Sequence, residues 1–151
     1  MKKYIKMFLV LVSCVFLASC NSIQEIDKTT RCAFVAENGS TDVSIISDNN
    51  NVTEILVEGL VDNQGTLTEE EIELIASPTK EYFDSLSGFT YSYEYSDGIL
   101  MSKLMINMDE AELEKIGDVN ILGNATIETA YTYKNKELLI DALNINGFTC
   151  K

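Results

Sequence analysis

The sequence predicts an α+β domain in which an antiparallel β-sheet, made of a three-strand meander plus a hairpin, carries helices packed on one face. Three observations support this prediction. Three short β-branched runs separated by polar turns come first, a capped amphipathic segment follows, and a tyrosine-rich alternating run then turns back on itself. Two further helical segments close the chain, so the expected order is three strands, a helix, two strands and two helices.

The N-terminus has the pattern of a secretory signal. Three lysines precede an apolar run at residues 7–18, which is shorter than the roughly 20 residues of a membrane span. The run ends in Leu17-Ala18-Ser19-Cys20, which resembles the lipobox of bacterial lipoproteins. That resemblance implies that residues 1–19 are removed and that the Cys20 thiol carries a diacylglyceryl group with chains such as palmitate. The alternative is a plain signal peptide that happens to end before a cysteine.

The remaining chain divides into a short tether and one domain. Removal of 19 residues from 151 leaves 132, which suits a single domain. Residues 20–29 are polar after the cysteine and lack periodicity, so we interpret them as the lipidated residue and its tether. Residues 30–151 form the predicted domain.

The mature chain is strongly acidic. It has 24 acidic residues and, once the three signal lysines are gone, 8 basic ones, for a net charge of −16. This charge argues against binding to nucleic acid and against electrostatic docking on anionic lipid. A cationic partner or divalent ions stay open as alternatives.

The cysteines predict a disulfide. Of the four, Cys14 leaves with the signal and Cys20 is used for lipid, so Cys32 and Cys150 remain. Two thiols in a chain without histidine make a poor metal site, so no metal or cofactor is expected. In an exported protein two such cysteines favour a disulfide, and the alternative is two free buried thiols.

The first half of the domain is predicted as a meander followed by a helix. Strands are expected at Thr30–Glu37, Thr41–Ser47 and Val52–Val61, with turns at Asn38-Gly39 and Asp48–Asn51. The helix begins with a capping box, in which Thr68 is the N-cap and Glu71 is the N3 residue. Pro78 is expected to kink or split this helix, and Gly88 to end it.

A hairpin follows, and its turn fixes the register. The run Phe89–Ser96 alternates strictly, Asp97-Gly98 is a favoured two-residue turn, and Ile99–Met108 returns. The opposed pairs are then Tyr95 with Leu100, Tyr93 with Ser102, Tyr91 with Leu104 and Phe89 with Ile106. Glu94 and Lys103 fall on the other face, within diagonal reach of each other. Tyr91, Tyr93 and Tyr95 share a face, which predicts either core packing or an aromatic binding surface.

The last third of the chain is predicted less fully. Asp109 is expected to cap a short acidic helix with Glu112 at N3, while residues 117–131 stay unassigned. A final helix at Lys134–Asn146 stops at Gly147, and Phe148–Cys150 then brings Cys150 to Cys32.

The ordered set of segments resembles one family. These are a cysteine-bearing first strand, the helix LTEEEIELIASPTKEYFDSLSGF, the hairpin YSYEYSDGILMSKLMINM and the closing KELLIDALNINGFTCK. Together they resemble the YehR-like family of small, uncharacterised bacterial lipoproteins over the whole mature domain. The resemblance implies a fold and a lipid anchor at the membrane, and it identifies no catalytic residues.

Three motifs have a chemical interpretation and a structural one. Ser77-Pro78-Thr79-Lys80 matches the Ser-x-x-Lys nucleophile motif, but a proline interrupts it and its companion motifs are missing. Asp48–Asn51 offers oxygen ligands for calcium, but a polar turn explains it better. Glu69–Glu73 supplies carboxylates of the kind that glycosidases use, yet helix capping and the helix dipole account for them.

These observations predict a lipoprotein at the extracytoplasmic face of the cell membrane that is not an enzyme. Its partners would be membrane lipid, through Cys20, and an envelope protein or a small ligand. A general base near neutral pH is most often histidine, and the chain has none. The alternatives are a small extracytoplasmic hydrolase and a purely structural envelope lipoprotein.

Overall fold

The structure is a computed structural model that describes residues 28–115 and 130–151. Its centre is a six-stranded antiparallel sheet with the strand order β4-β5-β3-β2-β1-β6. The strands are β1 (Thr29–Ala36), β2 (Gly39–Asp48), β3 (Asn51–Asp62), β4 (Phe89–Ser96), β5 (Ile99–Asn107) and β6 (Thr149–Cys150). The predicted α+β class, with its meander and hairpin, is confirmed.

Helices cover one face of this sheet. They are α1 (Glu69–Asp84), α2 (Ala130–Lys134) and α3 (Lys136–Ile145), and a 3-10 turn lies at Leu113–Lys115. Within the described residues, no helix is long and apolar enough to cross a membrane. The signal sequence, Cys20 and most of the tether lie outside the described residues, as does most of the unassigned stretch 117–131.

The core lies between the sheet and the helices. Alternate strand residues form rows across it, one of which runs Cys32, Val43, Val57, Leu104 and Tyr91, and the next Ile45, Ile55, Ile106 and Phe89. Phe83 from α1 and Leu139 and Leu143 from α3 join the same buried cluster. Burial of each Leu, Ile or Val side chain contributes about 1.5–3 kcal/mol, so these rows hold the helices on the sheet.

The first hairpin differs from its prediction by one residue. Ala36 pairs with Gly39, so the turn residues are Glu37 and Asn38 rather than Asn38-Gly39. Gly39 belongs to β2, where a Cβ atom would lie 2.3 Å from the carbonyl oxygen of Leu60 on β3. The glycine is therefore required by the close approach of a neighbouring strand, not by the turn.

Helix α1 begins as predicted and is not split. The Thr68 hydroxyl accepts from the Glu71 amide at 3.3 Å, and the Glu71 carboxylate accepts from the Thr68 amide at 2.8 Å. Pro78 lies inside one continuous helix. Pro78 removes the donor for the Leu74 carbonyl, and because both residues are exposed, water can replace it. Gly88, with φ of 79°, leads into β4.

Two expectations about the last third are wrong. Among the described residues that follow it, up to position 115, Asp109 caps no α-helix, and the chain forms a 3-10 turn at Leu113–Lys115. The reason is that the Asn107 side chain accepts from the Asp109 amide at 3.1 Å, which turns the chain immediately after β5. The final helix begins at Lys136 instead of Lys134, because the Asn135 side chain caps it by accepting from the Leu138 amide.

Candidate binding groove

The face of the sheet opposite the helices carries a concave surface, which we call the open-face groove. It has a volume of about 350 Å³ and spans four strands. Its side chains form two rows across β2, β3, β5 and β4. The rows are Ser40, Leu60, Met101 and Glu94, and then Asp42, Glu58, Lys103 and Ser92.

Apolar side chains lie on this solvent-facing surface. Leu60 and Met101 are directly opposed and are 38% and 44% exposed. Two rows further along the same strands, Leu56 and Met105 are opposed in the same way, and Met105 is exposed as well. Apolar side chains that cluster on a solvated surface are typical of contact sites.

An ion pair separates the two apolar pairs. The Lys103 ammonium lies 3.7 Å from the Glu58 carboxylate, and both side chains are about half exposed. The groove also contains Asp42 and Glu94. It therefore holds three carboxylates and one ammonium, an excess of negative charge that favours a cationic partner.

The predicted diagonal placement of Glu94 and Lys103 on one face is confirmed, although the ion pair of Lys103 is with Glu58. Lys103 is opposed by Ser92 on β4 and by Glu58 on β3, while Glu94 is opposed by Met101. The hairpin alone shows only one neighbour of β5. Because β3 pairs with its other edge, Glu58 is the nearer carboxylate.

Tyr91, Tyr93 and Tyr95 lie on the helix side of the sheet. The Tyr91 ring packs against Phe83 with centroids 5.8 Å apart. The Tyr93 hydroxyl donates to the Glu73 carboxylate at 2.9 Å, and the Tyr95 hydroxyl donates to the Leu67 carbonyl at 2.7 Å. The three tyrosines thus attach α1 and its preceding loop to β4. A binding role for them stays a prediction.

Protonation follows from these contacts. Burial raises the pKa of the Tyr91 hydroxyl. The hydrogen bond to the Glu73 carboxylate raises the pKa of Tyr93, since loss of its proton would place two negative charges together. Both phenols therefore stay protonated at neutral pH.

In the motif Ser77–Lys80, the lysine pairs with a carboxylate and not with the serine that it would have to activate. The Lys80 ammonium pairs with the Asp84 carboxylate one turn further along α1, and this contact lowers the pKa of Asp84. In the neighbouring acidic segment, the hydrogen bonds from Thr68 lower the pKa of Glu71. A general acid needs a raised carboxyl pKa, so Glu71 is shifted in the opposite direction.

The oxygen-rich turn Asp48–Asn51 contacts helix α3. The Asn50 side-chain oxygen accepts from the Glu137 amide at 3.1 Å, and its nitrogen donates to the Asn135 side chain at 3.3 Å. Asp48 lies 3.9 Å from the Lys28 ammonium. Across residues 28–115 and 130–151, no three Asp, Glu or Cys side chains are grouped to hold a metal ion.

The predicted disulfide is present. Cys32 on β1 is directly opposed to Cys150 on β6, and the bond joins residues separated by 118 positions. Cys32 is almost fully buried beside Val43. The bond therefore holds the terminal strand against the edge of the core.

No family model and no curated protein matches the sequence. The NMR structure of the E. coli YehR protein matches with a TM-score of 0.68 and 13% identity, over 82% of this chain and 89% of that one. The fold is similar to that of YehR. An NMR structure of a protein from Streptococcus pneumoniae TIGR4 matches with a TM-score of 0.54 and 12% identity, over 81% and 84% of the two chains. The expected YehR-like resemblance is confirmed at the level of fold.

Sequence reasoning missed the open-face groove, although one signal for it is present. The run Ile55-Leu56-Val57 on β3 is apolar at consecutive positions, which indicates apolar groups on both faces of a strand. Met101 and Met105 repeat the signal on β5, at the positions that alternate with core residues.

Proposed function

We propose that this chain is a membrane-anchored extracytoplasmic lipoprotein whose domain binds an envelope protein through the open-face groove and carries out no chemistry. The observation that carries the proposal is the pattern of the uncovered face. There, two opposed apolar pairs flank the ion pair of Lys103 and Glu58.

The proposed location at the membrane rests on the N-terminal pattern of the sequence. Lysines, an apolar run and Leu17-Ala18-Ser19-Cys20 occur together and in the expected order. Two or more acyl chains on Cys20 would hold the protein stably at the membrane, whereas one chain would anchor it only marginally. The disulfide agrees with an oxidising location outside the cytoplasm.

The shape of the groove favours a protein segment over a small ligand. Its volume of about 350 Å³ lies near the lower end for ligand pockets, and its walls are side chains of a sheet surface. Leu56 and Leu60 lie four residues apart on one face of β3, so the apolar groups are separated by roughly 13 Å. An extended segment with apolar residues and a basic residue between them would match this spacing and the carboxylates.

The absence of histidine supports a non-catalytic role, because the usual general base near neutral pH is not available. The two remaining cysteines are joined, so neither offers a thiolate. The small-hydrolase alternative would require Ser77 or a carboxylate of α1 to react without these aids.

A photo-crosslinking residue in place of Met101 tests the partner. We expect the full-length protein, expressed in its own cells, to be captured with one specific envelope protein. The matched control carries the same residue at Leu138, which is 40% exposed on α3. Adding Leu60→Asp should abolish capture from position 101, while Leu74→Asp, on an exposed position of α1, should leave it unchanged. Equal capture from both positions would argue against the groove.

A second test concerns the anchor and the chemistry. Cys20→Ser should block labelling by a radioactive fatty acid and leave an unprocessed precursor, and normal labelling would contradict the lipobox interpretation.

The purified protein should not turn over peptidoglycan, ester, phosphate or glycoside substrates. Reproducible turnover abolished by Ser77→Ala, with folding intact, would support the hydrolase alternative instead.

A further inference from the structure

A segment of the kind that the open-face groove would bind is present in this chain itself. On β5, Met101, Lys103 and Met105 alternate with the buried residues Leu104 and Ile106, so they lie on the uncovered face of the sheet. All three are exposed. They form an extended stretch with one basic residue between two apolar ones, which is the pattern that matches the groove. A second copy of the chain therefore carries a segment of the required chemistry.

Strand β3 offers the complementary stretch. Leu60, Glu58 and Leu56 oppose the three β5 residues within the sheet, so the two strands occupy the same three rows of the uncovered face. With β5 of a second copy placed over β3, methionine meets leucine in the two outer rows, and Lys103 meets Glu58 in the middle row. The same contacts form a second time, because β3 of the second copy then lies over β5 of the first.

A two-fold axis between the two faces, parallel to the strands and midway between β3 and β5, produces this arrangement. It keeps every row at its own level and exchanges β3 with β5 and β2 with β4, as a self-complementary dimer contact requires. Other axes bring like charges together. An axis along β3 places Glu58 against its own copy, and an axis across the strands at the middle row does so for both Glu58 and Lys103.

The other carboxylates of the groove also meet suitable groups about this axis. Asp42 on β2 meets Ser92 on β4, and Glu94 on β4 meets Ser40 on β2, because each pair shares a row. Serine hydroxyls can donate to carboxylates, so no carboxylate of the groove faces another one. Charges further apart are screened by salt over about 8–10 Å. The groove is therefore complementary to itself, although each chain is strongly acidic.

The same axis suits two lipid anchors in one membrane. Because it is parallel to the strands, the start of β1 lies at the same end of both copies. Eight residue steps separate Cys20 from Lys28, so each tether spans at most roughly 29 Å. An axis across the strands would instead direct the two tethers to opposite ends of the pair. Charge and anchoring thus favour one axis independently.

We propose that the envelope protein bound by the open-face groove is a second copy of this chain, packed face to face about a two-fold axis between β3 and β5. The inference rests on the proposed function, since it names the partner of the same groove. Sheets that pack in this way are about 10 Å apart. The long, unbranched side chains of Met101 and Lys103 enter the depression of about 350 Å³ in the opposite face.

The area of the face suits a dimer that the membrane concentrates. Residues 54–62 of β3 span roughly 27 Å and the four strands roughly 19 Å, which gives about 500 Å² of flat area for each copy. The total of about 1,000 Å² lies at the lower end for specific interfaces. Anchoring in one bilayer raises the effective concentration of the two copies. The dimer should therefore form at the membrane more readily than in dilute solution.

Photo-crosslinking with two tags tests the occupant. Full-length protein with a photo-reactive residue in place of Met101 is expressed together with a second copy that carries a different epitope tag. We expect a product of twice the chain mass that contains both tags and joins position 101 to the segment around Leu60. Because Leu60 is also the neighbour of Met101 within one chain, only the product of doubled mass counts. The same photo-reactive residue at Leu138, on α3, should give no such product.

Reversed charges test the axis. Lys103→Glu alone brings carboxylates together at both Lys103–Glu58 contacts of the dimer, and Glu58→Lys alone brings ammonium groups together. Each should lower the yield of the double-mass product at least about ten-fold, because like charges at an interface are strongly unfavourable. Co-expression of the two variants should restore the yield of the product with both tags. In the mixed dimer the new carboxylate meets the new ammonium, and the two native groups meet each other.

Recovery on mixing separates a lost contact from a lost fold, since two misfolded chains would not repair each other. The matched control reverses charges on α1, away from the groove. Lys80→Glu and Glu70→Lys, alone or together, should leave the yield unchanged.

The outcomes separate this inference from the proposed function. Capture of a different protein from position 101, with no product that contains both tags, would overturn the second copy as partner and leave the binding role of the groove standing. Capture of no protein would overturn both. Loss in each single variant without recovery in the mixture would overturn the face-to-face contact between Lys103 and Glu58.

Discussion

Cys32 and Cys150 are directly opposed on neighbouring antiparallel strands, although 118 positions separate them in the sequence. Their bond joins the first strand of the domain to the last. In the chain-entropy account, closure of so long a loop restricts the unfolded chain and stabilises the fold by about 4–5 kcal/mol. We expect Cys32→Ala with Cys150→Ala to lose that amount in urea unfolding at neutral pH.

Reduced wild-type protein is the control for this prediction. It should unfold near the midpoint of the double variant, because it lacks the same constraint while keeping its side chains. Equal midpoints for oxidised and reduced protein would show that the bond does not stabilise the fold.

The contact between Tyr93 and Glu73 predicts a response to alkali. The pKa of the Tyr93 hydroxyl is raised in the folded protein by its hydrogen bond to the Glu73 carboxylate. The contact therefore contributes its full stability below the ordinary tyrosine pKa of about 10 and loses it as the pH rises through the folded pKa. The melting temperatures of wild type and Tyr93→Phe should differ by a constant amount up to that pH and then converge. A gap that persists in strong alkali would contradict the contact.

The capping box predicts the opposite response in acid. Hydrogen bonds from Thr68 lower the pKa of Glu71 below its model-compound value of 4.5. The resulting stability is present above 4.5 and is lost as the pH falls through the lowered folded pKa. The melting temperatures of wild type and Glu71→Gln should therefore converge in acid, while Glu70→Gln, outside the box, serves as the matched control.

Thr68→Ala should lower the free energy of unfolding by about 1 kcal/mol at neutral pH, and no loss would exclude the cap.

Substitution by alanine should destabilise the protein by different amounts at two glycines of the sheet. A Cβ atom at Gly39 would lie 2.3 Å from the Leu60 backbone carbonyl, whereas one at Gly59 would lie 2.7 Å from the Ser102 hydroxyl. Backbone cannot move without disturbing β3, but a serine side chain can rotate. Gly39→Ala should cost roughly 1–3 kcal/mol and Gly59→Ala less than about 1 kcal/mol. Equal unfolding free energies for the two variants would show that the β3 backbone moves at Leu60 and makes room for the Cβ atom.

Much of the fold could be predicted from local patterns. The hairpin register is confirmed at all four predicted pairs, because the turn Asp97-Gly98 and strict alternation leave only one alignment. The capping box of Thr68 and Glu71 is confirmed for a similar reason, since both partners lie within one turn of helix. The disulfide followed from counting the cysteines that remain after processing.

Features that depend on distant segments could not be predicted in this way. The role of Gly39 depends on Leu60 of another strand, and the partner of Lys103 depends on which strand lies beyond β5. The open-face groove needs the complete strand order, because its rows combine four strands. Sequence alternation shows which side chains share a face, but not which strands are neighbours.

The short length of β6 has a consequence for solubility. It pairs with β1 at Cys32 and Ala33, and Lys151 after it exchanges backbone hydrogen bonds with Arg31, but within the described residues no strand pairs with Phe34–Ala36 on that side. Val35, in that exposed stretch, is 78% exposed. Exposed strand edges can recruit strands from other molecules, and loss of the disulfide would free the rest of the edge as β6 detaches. Reduced protein should therefore scatter more light on storage than oxidised protein, so that the same bond that stabilises the monomer also keeps copies of it from aggregating.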